Sequence, residues 1–422
     1  MSRCPHALLA GGAATLLAAC SGQDSQAPAG LATARGGASY TTQPSQATLV
    51  SRNGELVPIL TVGDSVPSTN GGTTWAPIPD GLGGYQQGSD LVLYANHELS
   101  SSGGKDVNGV TQFAYARVSR LVLDPRTLTV KDASYVITGS EQYQRLCSAT
   151  FADAGEGFPS GYFFTGEEST GGTHDGMQLA IGKDGVVHEL PWIGRIAHEN
   201  LTAAPYSGAL KVNEPIASSW IEVPNSAALS SAALQTTVTD LGAFPFVRLE
   251  DSDYDHRVGT KPALYFVDTG SESTLCNGAP CDAYGSIYRL EFDPTNPAGT
   301  ARLILLARSA GAATGWSSPD NIAHNGSSLM VQEDPANSTF AGQRSPQIYK
   351  FAPGPTGRLG KADVVVSLTN PTCNDVAGTC WESSGIIDAS KWFGPGSWLF
   401  DVQAHTLPVP LMMSASVSPT YM

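Results

Sequence analysis

Residues 264–294 read LYFVDTGSESTLCNGAPCDAYGSIYRLEFDP, and the pattern in this stretch predicts the fold. An apolar run, Leu264–Val267, leads into Asp268, and a second run, Gly285–Phe292, leads into Asp293 and Pro294. Glycine, asparagine and proline lie between the two runs. Short apolar segments bounded by such turn-forming residues are typical of antiparallel β-strands.

The first of these runs belongs to a set of six, each an apolar segment followed by acidic or amide residues. The set comprises Leu91–Ala95 before Asn96-His97-Glu98, Tyr162–Phe164 before Gly166-Glu167-Glu168, Ala209–Val212 before Asn213-Glu214, Leu264–Val267 before Asp268, Leu329–Val331 before Gln332-Glu333-Asp334, and Trp398–Phe400 before Asp401 and Gln403. Each repeat has room for four antiparallel strands and their loops. The sequence therefore predicts an all-β, six-bladed β-propeller. The alternative, a β-sandwich with a second domain, does not explain an acidic ending in every repeat.

The composition and net charge argue against some classes of binding partner. The chain has 422 residues with 46 Gly and 28 Pro, which favours many short strands. Its net charge of -15 argues against nucleic acid, whose phosphates dominate binding, and against charge-driven docking on anionic lipid. An anionic substrate would need a bound metal to reverse the local charge. We expect a monomer that acts on a small molecule.

The N-terminus predicts export. Residues 1–20 combine a basic start at Arg3, the apolar stretch Ala7–Leu17 and the tetrad Leu17-Ala18-Ala19-Cys20, which resembles a lipobox with Cys20 as the lipidated residue. A plain secretory signal is the alternative. Residues 21–43 are polar and predict a flexible tether, and residues 44–422 predict one propeller domain. The expected location is the periplasm or the cell surface, with the lipid as the only membrane contact.

The seven cysteines divide into groups under that export prediction. Cys4 leaves with the signal and Cys20 takes lipid. Two closely spaced pairs can form local disulfides, namely Cys276 with Cys281 and Cys373 with Cys380. Cys147 remains unpaired, and such a thiol is either a buried small hydrophobe or a ligand.

The repeated carboxylates predict a shared site. Blades around one axis bring equivalent strand ends to one rim, so acids far apart in sequence become neighbours. Any single acid after a strand can be an ordinary turn former. Carboxylates held together, however, require protons or cations, and hard oxygen ligands suit calcium or ferric iron better than zinc.

Ten motifs occur in order over residues 90 to 405. They are Asn96-His97-Glu98, Leu146-Cys147-Ser148 with Gly166-Glu167-Glu168, residues 194–199, residues 208–214, Arg248-Leu249-Glu250, residues 284–290, Ser318-Pro319-Asp320-Asn321-Ile322, Val331-Gln332-Glu333-Asp334, Glu382-Ser383-Ser384-Gly385 and residues 399–405. Together they resemble the PhoX-type alkaline phosphatases, a family of six-bladed propellers. The resemblance implies a phosphomonoesterase with a ferric iron pair (Fe3+) and calcium ions (Ca2+), acting on a small phosphoester.

The resemblance also implies residue roles. The metal ligands would be Cys147, Glu168, Glu199, Glu250, Asp320, Glu333 and Glu382. Arg248 would hold a phosphoryl oxygen in the catalytic pocket, or else form a surface ion pair. Two other functions stay open at this point: a calcium-dependent propeller that hydrolyses lactones or phosphotriesters, and a noncatalytic, surface-anchored binding propeller.

Overall fold

The computed structural model describes residues 41, 45–50, 54–68, 73–105, 111–195, 197, 210–244, 246–257, 259–276, 279–293, 295–296, 298–335, 344–369, 381–404 and 412–415. The predicted signal, Cys20 and nearly all of the tether lie outside these residues, as do Glu199, Cys373 and Cys380. Within the described part of the chain, no helix is long and apolar enough to span a bilayer.

Short strands make up most of the ordered structure. The first fourteen are β1 (Ala47–Leu49), β2 (Val57–Thr61), β3 (Ser65–Val66), β4 (Thr73–Thr74), β5 (Pro79–Gln87), β6 (Asp90–His97), β7 (Gly104–Lys105), β8 (Thr111–Gln112), β9 (Arg117–Leu123), β10 (Val130–Ile137), β11 (Leu146–Ala152), β12 (Tyr162–Glu167), β13 (Gln178–Gly182) and β14 (Val187–Glu189). The others are β15 (Ile216–Ser218), β16 (Leu249–Tyr254), β17 (Ala263–Asp268), β18 (Ser271–Cys276), β19 (Ala279–Asp282), β20 (Ser286–Glu291), β21 (Ala301–Arg308), β22 (Pro319–His324), β23 (Leu329–Glu333), β24 (Gln347–Phe351), β25 (Asp363–Leu368), β26 (Glu382–Asp388), β27 (Trp398–Gln403) and β28 (Met412–Ala415). The helices are α1 (Ser231–Asp240) and α2 (Ser390–Phe393), with short 3-10 helices at Ala154–Glu156, Pro191–Ile193 and Ser226–Ala228.

Five antiparallel sheets of four or five strands form the blades of a β-propeller. Their strand orders are β10-β9-β6-β5, β11-β12-β13-β14, β15-β21-β20-β17-β16, β1-β25-β24-β23-β22 and β2-β28-β27-β26. The inner strands contact one another in a closed ring, in the order β5, β11, β16, β22, β26 and back to β5. The last sheet pairs β2 with β28, so strands from the two ends of the chain complete one blade.

The predicted all-β propeller is confirmed, whereas the number six is not. Five of the six apolar runs are the second strands of the five blades: β6, β12, β17, β23 and β27. The run that ends at Val212 forms no strand in its described residues, 210–212. Apolar packing between the blades buries large side chains such as Trp75, Trp398 and Phe163.

The antiparallel register brings the start of each inner strand to the end of the second strand. Pairs at this rim are Pro79 with His97, Leu146 with Glu167, Leu249 with Asp268, Pro319 with Glu333 and Glu382 with Gln403. The acids that the sequence places at the ends of second strands therefore share one end of the propeller with the first residues of the inner strands.

A left-handed, non-glycine residue precedes four of the inner strands. These residues are Ile78, Arg145, Arg248 and Ser318, with φ of 52°, 50°, 59° and 48°. Their carbonyls accept hydrogen bonds of 2.8–3.0 Å from the backbone N–H of Glu98, Glu168, Thr269 and Asp334. Such a backbone is costly for a residue with a side chain, and the same bond holds it in all four blades.

Candidate functional site

The last residues of the second strands β12, β17 and β23 are acids that face into their own blades. Both carboxylate oxygens of Glu167 accept backbone N–H groups, from Gln144 at 2.8 Å and from Gly176 and Met177 at 3.1 Å. Asp268 accepts the hydroxyl of Tyr288 at 3.0 Å. These acids tie loops to strands, because a carboxylate that receives several hydrogen bonds is a strong local anchor.

Glu333 has the same structural role. Arg344 donates to its two oxygens at 2.6 and 2.7 Å, and the backbone N–H groups of Ser317 and Gln347 donate at 2.8 Å. Since both oxygens already have these partners, Glu333 does not join the other predicted metal ligands. Its burial raises its pKa, while the hydrogen bonds from Arg344 lower it.

A pocket of about 480 Å³ lies at the rim, and acids from successive blades line it. We call it the acidic pocket. Five predicted ligands and the predicted arginine meet there: Cys147, Glu168, Arg248, Glu250, Asp320 and Glu382. Glu98, Arg145, Asp334 and Gln403 join them. The second residue of β11, β16 and β22 and the first of β26 thus supply one acid or thiol each.

Arg145 bridges two carboxylates at one side of the acidic pocket. Its Nη2 atom lies 2.5 Å from Glu98 Oε1 and 2.5 Å from Glu168 Oε2. Burial and the neighbouring Glu98 charge raise the pKa of Glu168 to about 7, although Arg145 opposes the shift. The pair therefore holds a proton near neutral pH and can exchange it with a bound ligand.

Arg248 stands at another part of the same wall. Its Nη2 atom lies 3.4 Å from Glu250 Oε1 and 3.4 Å from Asp334 Oδ2, and Thr269 donates to Glu250 at 2.9 Å. Arg248 is thus a pocket residue within an ion-pair network. Its second predicted interpretation, a pair on the outer surface, does not fit this position.

Gln403 lies where three carboxylates converge. Its Nε2 atom is 3.1 Å from Asp80 Oδ2, 3.2 Å from Glu98 Oε2 and 3.4 Å from Glu382 Oε1. It is also 3.1 Å from the hydroxyl of Ser384. An amide nitrogen carries only two protons, so four acceptors exceed what it can satisfy.

Several buried side-chain oxygens at this rim lack hydrogen-bond partners in the described structure. Both oxygens of Asp401 and Oδ1 of Asp80 are buried and unpartnered, as is Oε1 of Gln403. Burial raises the pKa of both acids well above its usual value, and the charge of Glu382 adds to the rise. We call Asp80, Glu382, Asp401 and Gln403 the pocket floor. Burial of carboxylates without hydrogen-bond donors costs free energy, so the pocket floor requires protons or cations.

Cys147 is a free, buried cysteine at the pocket wall. Burial raises the pKa of its thiol well above the usual value, and the charges of Asp80 and Glu168 raise it further. Both of its predicted interpretations, packing and ligation, are compatible with this place.

The disulfide between Cys276 and Cys281 stays a prediction. These cysteines lie on β18 and β19, and their side chains are outside the described set. Among described residues, no group of three or more His, Cys, Asp or Glu side chains could hold a metal ion as placed. The Gln403 Nε2 atom lies between the carboxylates of Asp80, Glu98 and Glu382.

Arg145 and Asp80 were not among the predicted site residues, and Asp401 and Gln403 were predicted only as the acidic and amide ending of the sixth apolar run. Arg145 holds the same position before its inner strand as Arg248, and that equivalence was the available signal. Asp80 has no such signal, because it follows Pro79 at the start of a glycine-rich strand.

No family model matches the chain, and neither does any curated protein. Solved structures do match. A putative glycoside hydrolase from Parabacteroides distasonis is 8% identical, with 91% of this chain and 99% of that one covered and a TM-score of 0.43. A GH43_1 enzyme from Xanthomonas citri is 12% identical, with 84% and 90% covered and a TM-score of 0.40. The GH62 α-L-arabinofuranosidase domain of Coprinopsis cinerea is 8% identical, with 87% and 98% covered and a TM-score of 0.37.

The prediction of a phosphomonoesterase is corrected here. The matching solved structures are described as glycoside hydrolases and not as phosphatases. The acidic pocket also presents six carboxylates against two guanidinium groups, a balance that repels a phosphate dianion. With identities of 12% or less and TM-scores below 0.5, these structures assign no activity of their own to this chain.

Proposed function

We propose that the acidic pocket binds a divalent cation of the calcium class and that the protein uses it to bind an oxygen-rich small molecule. The observation that carries this proposal is the pocket floor, where both oxygens of Asp401 are buried without a partner among the described residues and its charge helps to raise the pKa of Asp80. Asp80, Glu98 and Glu382 lie around the amide of Gln403. Carboxylate and amide oxygens in these numbers are the ligands that calcium prefers.

The oxygens of Asp80, Glu98 and Glu382 fit a cation if the side-chain amide of Gln403 is flipped. Rotation by half a turn would exchange its nitrogen for Oε1, an assignment that amides commonly allow, and would direct four oxygens toward one point. The bound cation would supply the positive charge that this floor lacks. Arg145 and Arg248 would then hold ligand oxygens at the pocket mouth.

Calorimetric titration of chelator-treated protein with calcium tests the proposal. We expect binding that Asp401→Asn and Gln403→Leu each weaken at least tenfold, because the first removes a negative charge that acts on Asp80 and the second removes a ligand oxygen. Asp240→Asn is the matched control, since Asp240 is exposed at the end of α1. Absence of calcium binding, or equal binding by all variants, would reject the cation site.

Glu98 and Glu168 favour a second candidate function, acid–base hydrolysis of an uncharged, hydroxyl-rich substrate such as a glycoside. Glu168, with a pKa of about 7 beside Glu98 and Arg145, can supply a proton to a leaving group or accept one from water. A neutral substrate also avoids repulsion by the pocket acids.

A panel of aryl glycosides tests this candidate. Turnover should fall at least a hundredfold in Glu168→Gln, whose side chain keeps the shape but cannot transfer a proton. Glu222→Gln, an exposed substitution, should leave turnover unchanged. If Glu168→Gln retained full turnover, Glu168 would not be the acid.

A further inference from the structure

A second cavity, of about 760 Å³, lies at the opposite end of the inner strands. The inner strands line the acidic pocket with their first residues and this cavity with later ones, such as Thr150, Ser252, Ala323 and Ile387. We call it the far cavity. Its size is within the range of cavities that hold small molecules.

The far cavity is negatively charged. Its lining includes five carboxylates, from Asp153, Glu156, Asp251, Asp253 and Asp388, and the lysine Lys391. Hydrogen bonding to Asp253 raises the pKa of His256, against its burial, and the charges of Asp253, Glu156 and Asp388 raise it further. Because these acids come from three blades, their fields add inside the cavity.

Aromatic rings form one wall. Neighbouring ring centroids are 6.4 Å apart for Phe292 and Tyr254, 5.7 Å for Tyr254 and His256, and 6.3 Å for His256 and His324. Elsewhere in the lining, the Lys391 ammonium lies 4.5 Å from the ring centroid of Trp392. The cavity thus already places one amine of the chain itself over an aromatic face.

Two buried donors among the lining residues have no partner in the described structure. They are Nε2 of His324 and Nε1 of Trp392. The backbone N–H groups of His256 and Gly326 donate to His324 Nδ1 at 3.2 and 3.3 Å, which leaves the proton of the neutral ring on Nε2. Since an indole nitrogen can only donate, both atoms require an acceptor oxygen.

We propose that the far cavity binds a hydroxylated primary amine, with an amino sugar as the simplest class. The ligand's ammonium group would lie among the carboxylates and replace Lys391 over Trp392. Its hydroxyl oxygens would accept protons from His324 and Trp392 after these side chains turn toward the cavity, because both nitrogens are buried in the described structure. This site is separate from the acidic pocket and needs no cation there.

Calorimetric titration of the purified protein with the glucosamine disaccharide tests the proposal. The matched neutral probe is the N,N′-diacetylated disaccharide, which keeps the ring hydroxyls but has no ammonium group. We expect the amine to bind at least tenfold more tightly than the neutral probe and to weaken with added salt. Equal binding of the two probes, or no binding of the amine, would overturn the proposal.

Charge-removing variants locate the site. Glu156→Gln and Asp388→Asn keep the acceptors for the backbone N–H groups of Asp153 and Ser390, both at 2.9 Å, and should fold. Each should weaken amine binding roughly three- to tenfold. Lys391→Ala should strengthen it, because the Trp392 face becomes free.

Glu222→Gln is the control for net charge, since Glu222 is exposed and outside the far cavity. Unchanged affinity in both charge-removing variants would contradict the assignment to this cavity. Calcium binding measured on the same variants should match the parent protein, so a failure of this proposal is distinguishable from a failure of the acidic-pocket proposal.

Discussion

Neighbouring acids at the rim differ in the number of hydrogen-bond and ion-pair partners that the protein gives them. Glu167 and Glu333 face into their blades and receive several hydrogen bonds each. Glu98 and Glu168 share one arginine in the acidic pocket, and Asp401 has no hydrogen-bond partner among the residues that the structure describes. Alternation along a strand sends successive side chains to opposite sides, so one step in sequence separates a structural acid from a functional one. The free energy of unfolding should reveal this difference.

The largest expected effect is at a blade-facing acid. Glu333→Ala leaves Arg344 and the N–H groups of Ser317 and Gln347 without their acceptor, so it should cost about 3–5 kcal/mol. Urea denaturation measures this change. The pocket variant Glu168→Gln is the comparison and should change the free energy of unfolding by less than about 1 kcal/mol. Similar losses in the two variants would erase the distinction.

Lowering the pH should destabilise the protein through His97, which in the first blade occupies the position that Glu167, Asp268 and Glu333 occupy in theirs. Burial lowers the pKa of His97 to about 3, against about 6.5 in the unfolded chain. The unfolded state therefore binds the extra proton first, and stability present above pH 6.5 is lost as the pH falls toward 3. Between pH 6.5 and 4.5 this loss is about 2 kcal/mol.

His97→Gln should remove that part of the pH dependence. His324, whose pKa burial lowers to about 4, continues to supply a similar slope in the variant. Denaturant midpoints of both proteins at several pH values measure the difference. Parallel pH profiles would show that His97 is not the titrating group.

Removal of the buried charge of Asp401 should stabilise the protein, in contrast to the substitution of Glu333. In chelator, Asp401→Asn should raise the free energy of unfolding by about 1–3 kcal/mol, because the native state no longer buries an unpartnered carboxylate or takes up a proton. Asp240→Asn serves as the exposed control. Added calcium should stabilise the parent and leave the variant unaffected, and a loss of stability in chelator would refute this view of the floor.

The smallest effect concerns the backbone at the same rim. Gln142→Gly, in the loop before Arg145, should stabilise by about 0.5–1 kcal/mol, because Gln142 is exposed and glycine adopts its φ of 67° without a steric cost. Ser134→Gly, on the extended strand β10, should destabilise by a similar amount. Thermal unfolding resolves both changes, and the same sign at both positions would contradict the argument.

Much of the fold could be predicted from the sequence, because the apolar runs at residues 91, 162, 264, 329 and 398 are true second strands. Of the acids after these strands, Glu98, Glu168 and Asp334 line the acidic pocket, whereas Glu167, Asp268 and Glu333 face into their blades. Sequence spacing places an acid at the rim but cannot separate residue 333 from residue 334, since a single-residue register step decides the direction of a side chain. Arg145 was not predicted, because its role arises from contacts between blades.

Four of the inner strands follow a left-handed residue, whose backbone bond does not depend on its side chain. The carbonyl of this residue holds the neighbouring strand end in place whether the side chain is Ile78, Arg145, Arg248 or Ser318. Three of these residues, Ile78, Arg145 and Arg248, line the acidic pocket, so their blades can exchange an apolar for a cationic group there while the backbone keeps its hydrogen bonds. The specificity of such a pocket can change blade by blade, through substitutions at these three positions that leave the supporting backbone intact.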